Sequence, residues 1–339
     1  MNTIPAQSSH PESPGAEYEF AVLGAGAIGS ILGAHLARAG HSVAMLARGR
    51  RAEQVRAQGL KITGLTEFVT PVVTLTDPAQ LRVARVLIVA MKTPGTADAL
   101  AGLRHAHIDV ALSIQNGPLK NELLGEAFGE QRVLGALADT SGELLASGEV
   151  VFTRNVNIML GELSGQMTER AQRIAHRIDA AGVHSTAVTR IRDLEWSKFT
   201  AWVALVSLSV TTRAATWRYL TDPEAALVAV RIVREMGHLA RALGIELTDQ
   251  SVLPVVTICS RSEDDAVAAV LKVGREYESR APGHRMSALQ DLLGGRPMEV
   301  HETLGYALRK AAQNGVAMPL VDAFYHVIAA VDRFTALTA

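Results

Sequence analysis

The sequence predicts an α/β domain built on a doubly wound sheet, followed by an all-helical C-terminal domain. Over residues 18–190, short runs rich in valine, isoleucine and leucine alternate with helical stretches. That alternation is typical of parallel strands buried on both faces. Beyond residue 190 such runs disappear and long helical patterns replace them. We therefore place a boundary between Val188 and Glu195, with the helical domain at residues 191–335.

The predicted strands all lie in the first domain. Buried parallel strands are expected at residues 20–23, 42–46, 86–90 and 110–114. Further candidate strands, some of them antiparallel additions to the sheet, are residues 61–62, 69–73, 133–136, 150–152 and 157–160.

Three helical patterns matter for the site and its surroundings. The first, residues 28–39, directly follows the first strand. The second begins at Asp222, an N-cap residue followed by proline at the first helical position, and ends near Gly244. The third spans residues 297–314, which places Glu299 in its first turn.

Composition excludes several classes of protein. The chain has 339 residues, 48% hydrophobic and 20% charged, with a formal net charge of −1. It has ample core material and lacks the basic excess of most nucleic-acid binders. The single cysteine, Cys259, forms no internal disulfide and has no partners at metal-ligand spacing, so we expect no metal and a reducing cytoplasm.

The first residues form a separate segment. Residues 1–17 are polar and rich in proline and serine, and they lack the basic start and apolar run of a signal peptide. We expect a disordered N-terminal extension there. No apolar stretch of about 20 residues is free of charges or turn signals, so no membrane span is predicted.

A glycine motif follows the first strand and indicates a dinucleotide. Residues 24–29 read G-A-G-A-I-G, and a helix follows. Gly24 permits a tight turn, Gly26 lets backbone N–H groups approach a pyrophosphate, and Gly29 allows the helix to pack closely on the strand. A Rossmann-type domain is therefore expected to bind its cofactor through Gly24, Ala25, Gly26, Ala27, Ile28 and Gly29.

The end of the second strand indicates which dinucleotide binds. NAD sites usually carry an acidic residue there for the ribose 2′-hydroxyl. Here Arg48 stands at that point, followed by Arg50 and Arg51, and the nearest acid downstream is Glu53. A guanidinium matches a phosphate, so we predict NADP, with Arg48 on the 2′-phosphate. Whether Arg50 or Arg51 assists is left open.

Two further strands end in polar residues. Lys92 follows the run V-L-I-V-A-M, and Gln115 and Asn116 follow V-A-L-S-I. Ligands of open α/β sheets lie at the carboxyl ends of strands. We expect Lys92 to face cofactor phosphate or ribose, and Asn116 to bind nicotinamide or substrate. A solvated lysine and an Asn-Gly turn are the alternatives.

Together these pieces resemble the ketopantoate reductase (2-dehydropantoate 2-reductase) family. The resemblance runs from Tyr18 over nearly the whole chain, in the family's order. The matching pieces are G-A-G-A-I-G at 24–29, Arg48, M-K at 91–92, Q-N-G at 115–117, W-S-K at 196–198, E-V-H-E at 299–302 and G-V-A-M-P at 315–319.

The resemblance implies reduction of a 2-oxo acid to a 2-hydroxy acid by NADPH, by default 2-dehydropantoate to pantoate in pantothenate biosynthesis. It implies that Lys198 polarises the carbonyl and donates the proton, and that Glu299 lies near the lysine and holds it charged. It also implies that Ser287 meets the substrate carboxylate. Ser287 with Gln290 additionally reads as a helix-capping box.

The chain departs from the family where the substrate binds. Members that reduce ketopantoate usually carry asparagines four and eight residues after the lysine, where this chain has Trp202 and Val206. A tryptophan removes two donors and an acceptor and fills volume. The departure favours a bulkier, more apolar 2-oxo acid or ketone as the alternative substrate.

Two other interpretations of the sequence stay open. An opine-type or 3-hydroxyacyl dehydrogenase would use histidine chemistry, but His238 and His301 lie in no recognisable motif. A nonenzymatic NADPH-binding sensor is disfavoured by the presence of Lys198 and Glu299. A small-molecule substrate is the expected partner, and apolar faces of the helical domain are compatible with a homodimer.

Overall fold

The computed structural model describes residues 17–336, with side chains through residue 335. Of the predicted N-terminal extension, residues 1–16 lie outside the described part. Within that part, one ten-stranded sheet is followed by a helical region. The strands are β1 (Glu17–Leu23), β2 (Val43–Leu46), β3 (Leu60–Gly64), β4 (Phe68–Thr70), β5 (Val73–Leu75), β6 (Val83–Val89), β7 (His107–Ser113), β8 (Val133–Leu144), β9 (Val150–Glu162) and β10 (Ser185–Ala187).

The sheet confirms the predicted doubly wound architecture. Six strands pair in the order β5-β2-β1-β6-β7-β8, and every neighbouring pair among them is parallel. The order reverses around β1, which creates the switch point at which such sheets bind ligands. β9 then pairs antiparallel with β8, and it also pairs parallel with β3 and β10. The predicted antiparallel extension is therefore present.

Three details of the sheet differ from the prediction. Pro71 divides the expected strand at 69–73 into β4 and β5, because proline cannot donate to a strand ladder. The expected strands at 150–152 and 157–160 are one continuous strand, β9, whose pairing with β8 passes two irregularities near Asp139 and Ser141. The short β10 was not predicted, since three residues give too little pattern.

Helices cover the sheet and then form the C-terminal region. Those among the strands are α1 (Ala27–Arg38), α2 (Gly49–Gln58), α3 (Thr96–Ala101), α4 (Leu119–Phe128) and α5 (Glu169–Ala180). Those after the sheet are α6 (Ile191–Thr212), α7 (Thr216–Thr221), α8 (Pro223–Ala242), α9 (Val255–Ser260), α10 (Glu263–Arg280), α11 (Ser287–Leu293), α12 (Leu304–Gln313) and α13 (Pro319–Ala336). In residues 17–336, no helix has both the length and the apolar character needed to cross a bilayer.

The helical region is built around α6. Most of its 22 residues are buried, so it is apolar on nearly all sides, as expected of a helix surrounded by protein. α8 contacts α6 and begins as predicted, since the Asp222 carboxylate accepts a hydrogen bond from the Ala225 N–H at 2.9 Å. α6 also contacts β8 of the sheet. The N-terminal half of α6, which carries Lys198, is thereby positioned against β8 inside the sheet.

The late helix begins later than predicted. α12 starts at Leu304, so Glu299 lies in a non-helical segment and not in a first helical turn. Tertiary hydrogen bonds hold this segment: the Met298 N–H donates to Asp332 at 2.9 Å, and the Thr303 hydroxyl donates to the Glu299 carbonyl. Helical periodicity at residues 297–303 could not reveal partners that are distant in sequence.

Candidate active site

The glycine turn at residues 24–29 meets two different requirements. Gly24 has φ +106°, and a Cβ there would lie 2.7 Å from the Met91 backbone nitrogen. A Cβ on Gly29 would lie 2.0 Å from the Gly24 carbonyl oxygen. Both glycines are therefore required by the turn itself. A Cβ on Gly26 would meet only the Ala90 carbonyl oxygen, at 3.9 Å, so packing does not require glycine at that position.

The open space at Gly26 lies at the N-terminus of α1. Gly26 is the N-cap, no side chain caps the helix, and its first turn holds no acidic residue. The first N–H groups of a helix have no partners within the helix, and its dipole favours an anion there. Uncapped N–H groups beside an unfilled glycine position fit the pyrophosphate of a dinucleotide. The predicted contacts of Ala25, Ala27 and Ile28 with the cofactor stay predictions.

Arg51 is committed to holding the glycine turn in place. Its guanidinium donates to the carbonyl oxygens of Ala25 at 2.9 Å and Gly148 at 2.8 Å, and to the Ser30 hydroxyl at 2.9 Å. Burial lowers the pKa of this guanidinium. Arg51 therefore joins the turn to the β8–β9 connection and has few donors left for a ligand.

Arg48 occupies the position predicted for a phosphate-binding residue. It is exposed, directly beyond β2, at the N-cap of α2. Arg50 nearby donates to the Ala146 carbonyl at 3.2 Å, whereas the Arg48 guanidinium has no protein partner within residues 17–336. Of the three arginines, Arg48 is the one whose guanidinium has no partner among residues 17–336, whereas Arg50 uses a single N–H group.

A small pocket surrounds the amine of Lys198 at the carboxyl ends of the strands. The half-buried Lys198 donates to the Ala138 carbonyl oxygen at 2.7 Å. The residues that line the pocket are Gln115, Asn116, Gly117, Lys120, Leu137, Ala138, Glu195, Lys198, Phe199 and Trp202. Three residues predicted for the site, Asn116, Lys198 and Trp202, thus come together.

The environment of Lys198 makes its amine a more acidic group than an ordinary lysine. Burial lowers the pKa of Lys198 most, and the positive charge of Lys120 lowers it further. The negative charges of Asp139 and Glu195 raise it in part, and the resulting pKa is about 8. A lysine with such a pKa readily gives up a proton near neutral pH. Perturbed lysines in pockets are candidates for acid–base chemistry.

A second lysine in the pocket escaped the sequence analysis. Lys120 is only 4% exposed and forms an ion pair with Glu195, 3.1 Å from Nζ to Oε1. Lys120 lies on α4 and Glu195 on α6, so the pair joins two helices that are far apart in sequence. The only signal in the sequence was a lysine four residues after Asn116, which is unremarkable in a solvated helix.

The side-chain amides at the end of β7 have different roles. Gln115 donates to the Thr96 hydroxyl at 2.7 Å and accepts from the Ser113 hydroxyl at 2.9 Å. Asn116 is half-buried in the pocket, and its amide has no side-chain partner in the described chain. Asn116 is therefore available to a ligand, whereas Gln115 is not.

Lys92 and Glu299 lie where the end of β6 meets the helical region. Lys92 forms an ion pair with the buried Asp291 of α11. One carboxylate oxygen of Glu299 accepts from the Thr93 N–H at 2.8 Å and from its hydroxyl at 2.9 Å. The expected pairing of Glu299 with Lys198 is not made: Lys198 binds the Ala138 carbonyl instead. Glu299 and Lys92 both connect the sheet to the helices.

The remaining substrate candidates are separated. Trp202 lines the pocket with its ring stacked on Phe199, 6.5 Å between centroids, whereas Val206 lies in the buried helical core. Ser287 is exposed at the first residue of α11. The capping-box interpretation was wrong, because Met286 is the N-cap and Gln290 donates to the Arg285 carbonyl. The substrate roles of Val206 and Ser287 stay predictions.

Comparison with known proteins identifies the family. The model described as "Ketopantoate reductase PanE/ApbA" matches residues 20–165, and "Ketopantoate reductase PanE/ApbA C terminal" matches residues 190–332. A 2-dehydropantoate 2-reductase of Archaeoglobus fulgidus is 26% identical over 295 residues, covering 87% of this chain and 91% of the relative. One from Nostoc is 25% identical over 329 residues, covering 93% and 96%.

Solved structures of related proteins have the same fold as this chain. The crystal structure of 2-dehydropantoate 2-reductase from Methylococcus capsulatus has a TM-score of 0.77 and 27% identity, covering 94% of this chain and 97% of that one. A D-mandelate dehydrogenase solved with NADH and anilino(oxo)acetate shares the fold, with a TM-score of 0.80, 18% identity and coverage of 93% and 99%. The chain belongs to the ketopantoate reductase family and is an oxidoreductase of the 2-dehydropantoate 2-reductase type.

Proposed function

We propose that the protein uses NADPH to reduce a 2-oxo acid to a 2-hydroxy acid, with 2-dehydropantoate as the default substrate. The observation that carries the proposal is the placement of Lys198. Its amine, with a pKa of about 8, lies in a pocket with the unpartnered Asn116, near the strand ends at which sheets of this type bind ligands. The names of the relatives support the reaction class.

The cofactor is proposed from the residues that would hold it. The uncapped N-terminus of α1 at Gly26 suits the pyrophosphate, and the free guanidinium of Arg48 suits a 2′-phosphate. NADH, with which the D-mandelate dehydrogenase was solved, is the alternative. When bound, the reduced nicotinamide supplies a hydride to the carbonyl carbon of the substrate.

Lys198 has two roles in the proposed reaction. As an ammonium it donates a hydrogen bond to the substrate carbonyl oxygen and stabilises the negative charge that develops there. It then transfers a proton from Nζ to that oxygen, which completes the hydroxyl group. The Ala138 carbonyl, at 2.7 Å, keeps the amine oriented in the absence of substrate.

Asn116 and Glu299 are proposed to position the reactants. The Asn116 amide can bind the substrate or the nicotinamide from the pocket wall. Glu299 uses Oε1 for Thr93, which leaves Oε2 for a ligand hydroxyl or for the cofactor. Lys92 stays a candidate cofactor residue, provided that its ion pair with Asp291 opens when the cofactor binds.

The identity of the pocket wall favours a second candidate substrate. Trp202 and Phe199 place two stacked rings where a ketopantoate-specific site would offer an amide. Such a wall selects substrates by apolar contact and shape rather than by hydrogen bonds. A 2-oxo acid with an aromatic or bulky apolar side chain is therefore the alternative to 2-dehydropantoate.

The test is a steady-state assay with the purified protein. NADPH and NADH are each combined with 2-dehydropantoate, with branched aliphatic 2-oxo acids and with phenyl-bearing 2-oxo acids. A kcat/KM of about 10⁴ M⁻¹s⁻¹ or more for 2-dehydropantoate with NADPH supports the default substrate. A preference for the phenyl-bearing acids supports the alternative. Absence of cofactor oxidation with every 2-oxo acid would overturn the proposed function.

The pH dependence tests the role of Lys198. Its amine must be protonated to act as the acid, and its pKa is about 8. We therefore expect kcat/KM for reduction to decline as pH rises above about 8. Lys198→Met, which keeps the apolar stem, is expected to lower kcat by about 10²–10⁴-fold. A Lys198→Met variant with the kcat of the wild type at neutral pH would contradict the assignment.

A further inference from the structure

The Lys120–Glu195 ion pair is a buried pair of charges in the wall of the Lys198 pocket. The two side chains are 4% and 3% exposed. Burying two charges costs free energy that their attraction recovers only when every polar atom finds a partner. A pair of hydrophobic side chains could join α4 and α6 here without the free-energy cost of burying two charges. The presence of the ion pair beside Lys198 calls for a role beyond packing.

The hydrogen-bonding capacity of Lys120 is fully used within the protein. Its three N–H groups meet the carbonyl oxygens of Gln115, at 3.0 Å, and Ala136, and the Glu195 carboxylate. An ammonium has three donors and no acceptor. Lys120 therefore has no free donor for substrate, and it acts on the site through position and charge.

Glu195 is equally well satisfied. Its Oε1 accepts from Lys120 and from the Ala136 N–H at 3.0 Å, and its Oε2 accepts from the Asn121 amide at 2.6 Å. Glu195 precedes Lys198 by three residues, which places both on one face of α6. The carboxylate thus fixes the rotation of α6 against β8 and α4.

Strand β8 holds both lysines. Lys120 binds the carbonyl of Ala136, and Lys198 binds the carbonyl of Ala138, two residues further along the strand. Both side chains line the same pocket. The ion pair and the proton donor therefore share one strand and one helix.

We propose, building on the proposed function, that Lys120 with its counter-ion Glu195 is a positioning residue for Lys198. The pair fixes the Lys198 amine in the pocket, and the positive charge of Lys120 makes that amine a readier proton donor.

The charges around Lys198 come from four elements. Lys120 on α4 and Arg154 on β9 lower the pKa of Lys198, whereas Asp139 on β8 and Glu195 on α6 raise it. Asp139 and Arg154 also pair with each other, 2.7 Å apart, so their effects oppose. After burial, Lys120 is the largest cause of the lowered pKa. Its contribution exceeds that of Glu195, so loss of the whole pair is expected to raise the pKa of Lys198.

The proposal is tested by labelling Lys198 with acetic anhydride over a range of pH. Only the neutral amine reacts, so the midpoint of labelling, measured by mass spectrometry, reports the pKa of Lys198. In the double variant Lys120→Met/Glu195→Gln, which avoids an unpaired buried charge, we expect the midpoint to rise above that of the wild type. Arg192→Met removes an exposed cation of α6 and is the control, with no shift expected.

A second double variant keeps the proposal falsifiable if the first one unfolds. Lys120→Gln/Glu195→Gln also removes both charges but keeps two side chains that can hydrogen-bond to each other, so the labelling midpoint of Lys198 should again rise above that of the wild type. A folded double variant whose midpoint equals that of the wild type would overturn the proposal, and so would an equal shift in Arg192→Met.

The activity of the same variants adds an independent readout. If the proposed function holds, the high-pH decline of kcat/KM moves in the same direction as the labelling midpoint. If the wild type reduces none of the 2-oxo acids, the proposed function fails, whereas the labelling experiment still decides the role of Lys120. The two failures are therefore distinguishable.

Discussion

Arg48 differs from its neighbours in having no acceptor within residues 17–336, whereas Arg50 and Arg51 donate to backbone carbonyls. If Arg48 binds the 2′-phosphate, Arg48→Ala should weaken NADPH binding by about 10–100-fold, the loss of a charge-assisted hydrogen bond. NADH binding should be unchanged. Fluorescence titration with both cofactors measures this, with Arg50→Ala as the control. An equal loss for NADH and NADPH would contradict the assignment.

Trp202 is the residue at which substrate choice is most open. It is 8% exposed and packs on Phe199. Trp202→Asn restores two donors and an acceptor, so we expect the ratio of kcat/KM for 2-dehydropantoate over a phenyl-bearing 2-oxo acid to rise by about tenfold or more. The cavity should also lower stability, by about 3 kcal/mol. Trp202→Phe keeps the apolar wall, and its ratio should stay near that of the wild type.

At the start of helix α1, Gly29 is required for folding, whereas Gly26 is expected to be required only for cofactor binding. A methyl group fits at Gly26 but not at Gly29, where it would lie 2.0 Å from the Gly24 carbonyl oxygen. Gly26→Ala should therefore keep its melting temperature and weaken NADPH binding by about tenfold or more, because the methyl group obstructs the approach of a pyrophosphate. Gly29→Ala should lose about 3 kcal/mol of stability. Thermal melts and cofactor titration check both variants, and unchanged cofactor binding in Gly26→Ala would argue against a pyrophosphate there.

At the scale of the whole molecule, the buried His35 makes the stability of the fold depend on pH. It lies on α1 among the rings of Phe68 and Phe152, and its Nδ1 lies 2.9 Å from the Ala181 carbonyl. Burial lowers the pKa of His35 below 6.5. The unfolded chain therefore binds the proton more tightly, so stability is full above about pH 6.5 and declines as pH falls below it.

Thermal melts at about pH 7.5 and about pH 5.5 measure this effect. We expect a lower melting temperature at the acidic pH and a smaller decrease in His35→Gln, which keeps a donor for the Ala181 carbonyl. His176→Gln alters an exposed histidine and should retain the wild-type decrease. A decrease of equal size in His35→Gln would show that other groups cause it.

Much of the architecture was predictable because local patterns reflect burial. The apolar runs marked the parallel strands, and Asp222 with Pro223 marked the start of α8. Helix ends set by distant partners were not predictable. Met298 is bound by Asp332 and Glu299 by Thr93, and these bonds replace the helical turn that the local pattern favours.

By itself, the sequence determined the doubly wound sheet, the glycine turn, the place of Arg48 beyond the second strand and the place of Lys198 within an apolar helix, because each depends on a few neighbouring residues. Only the tertiary structure decided which charges are free and which are paired. It committed Arg51 to the turn, paired Lys92 with Asp291, and buried Lys120 with Glu195 beside Lys198. Such pairings join residues far apart in the chain, and the lowered pKa of Lys198 follows from the resulting burial and charge, which no local pattern encodes.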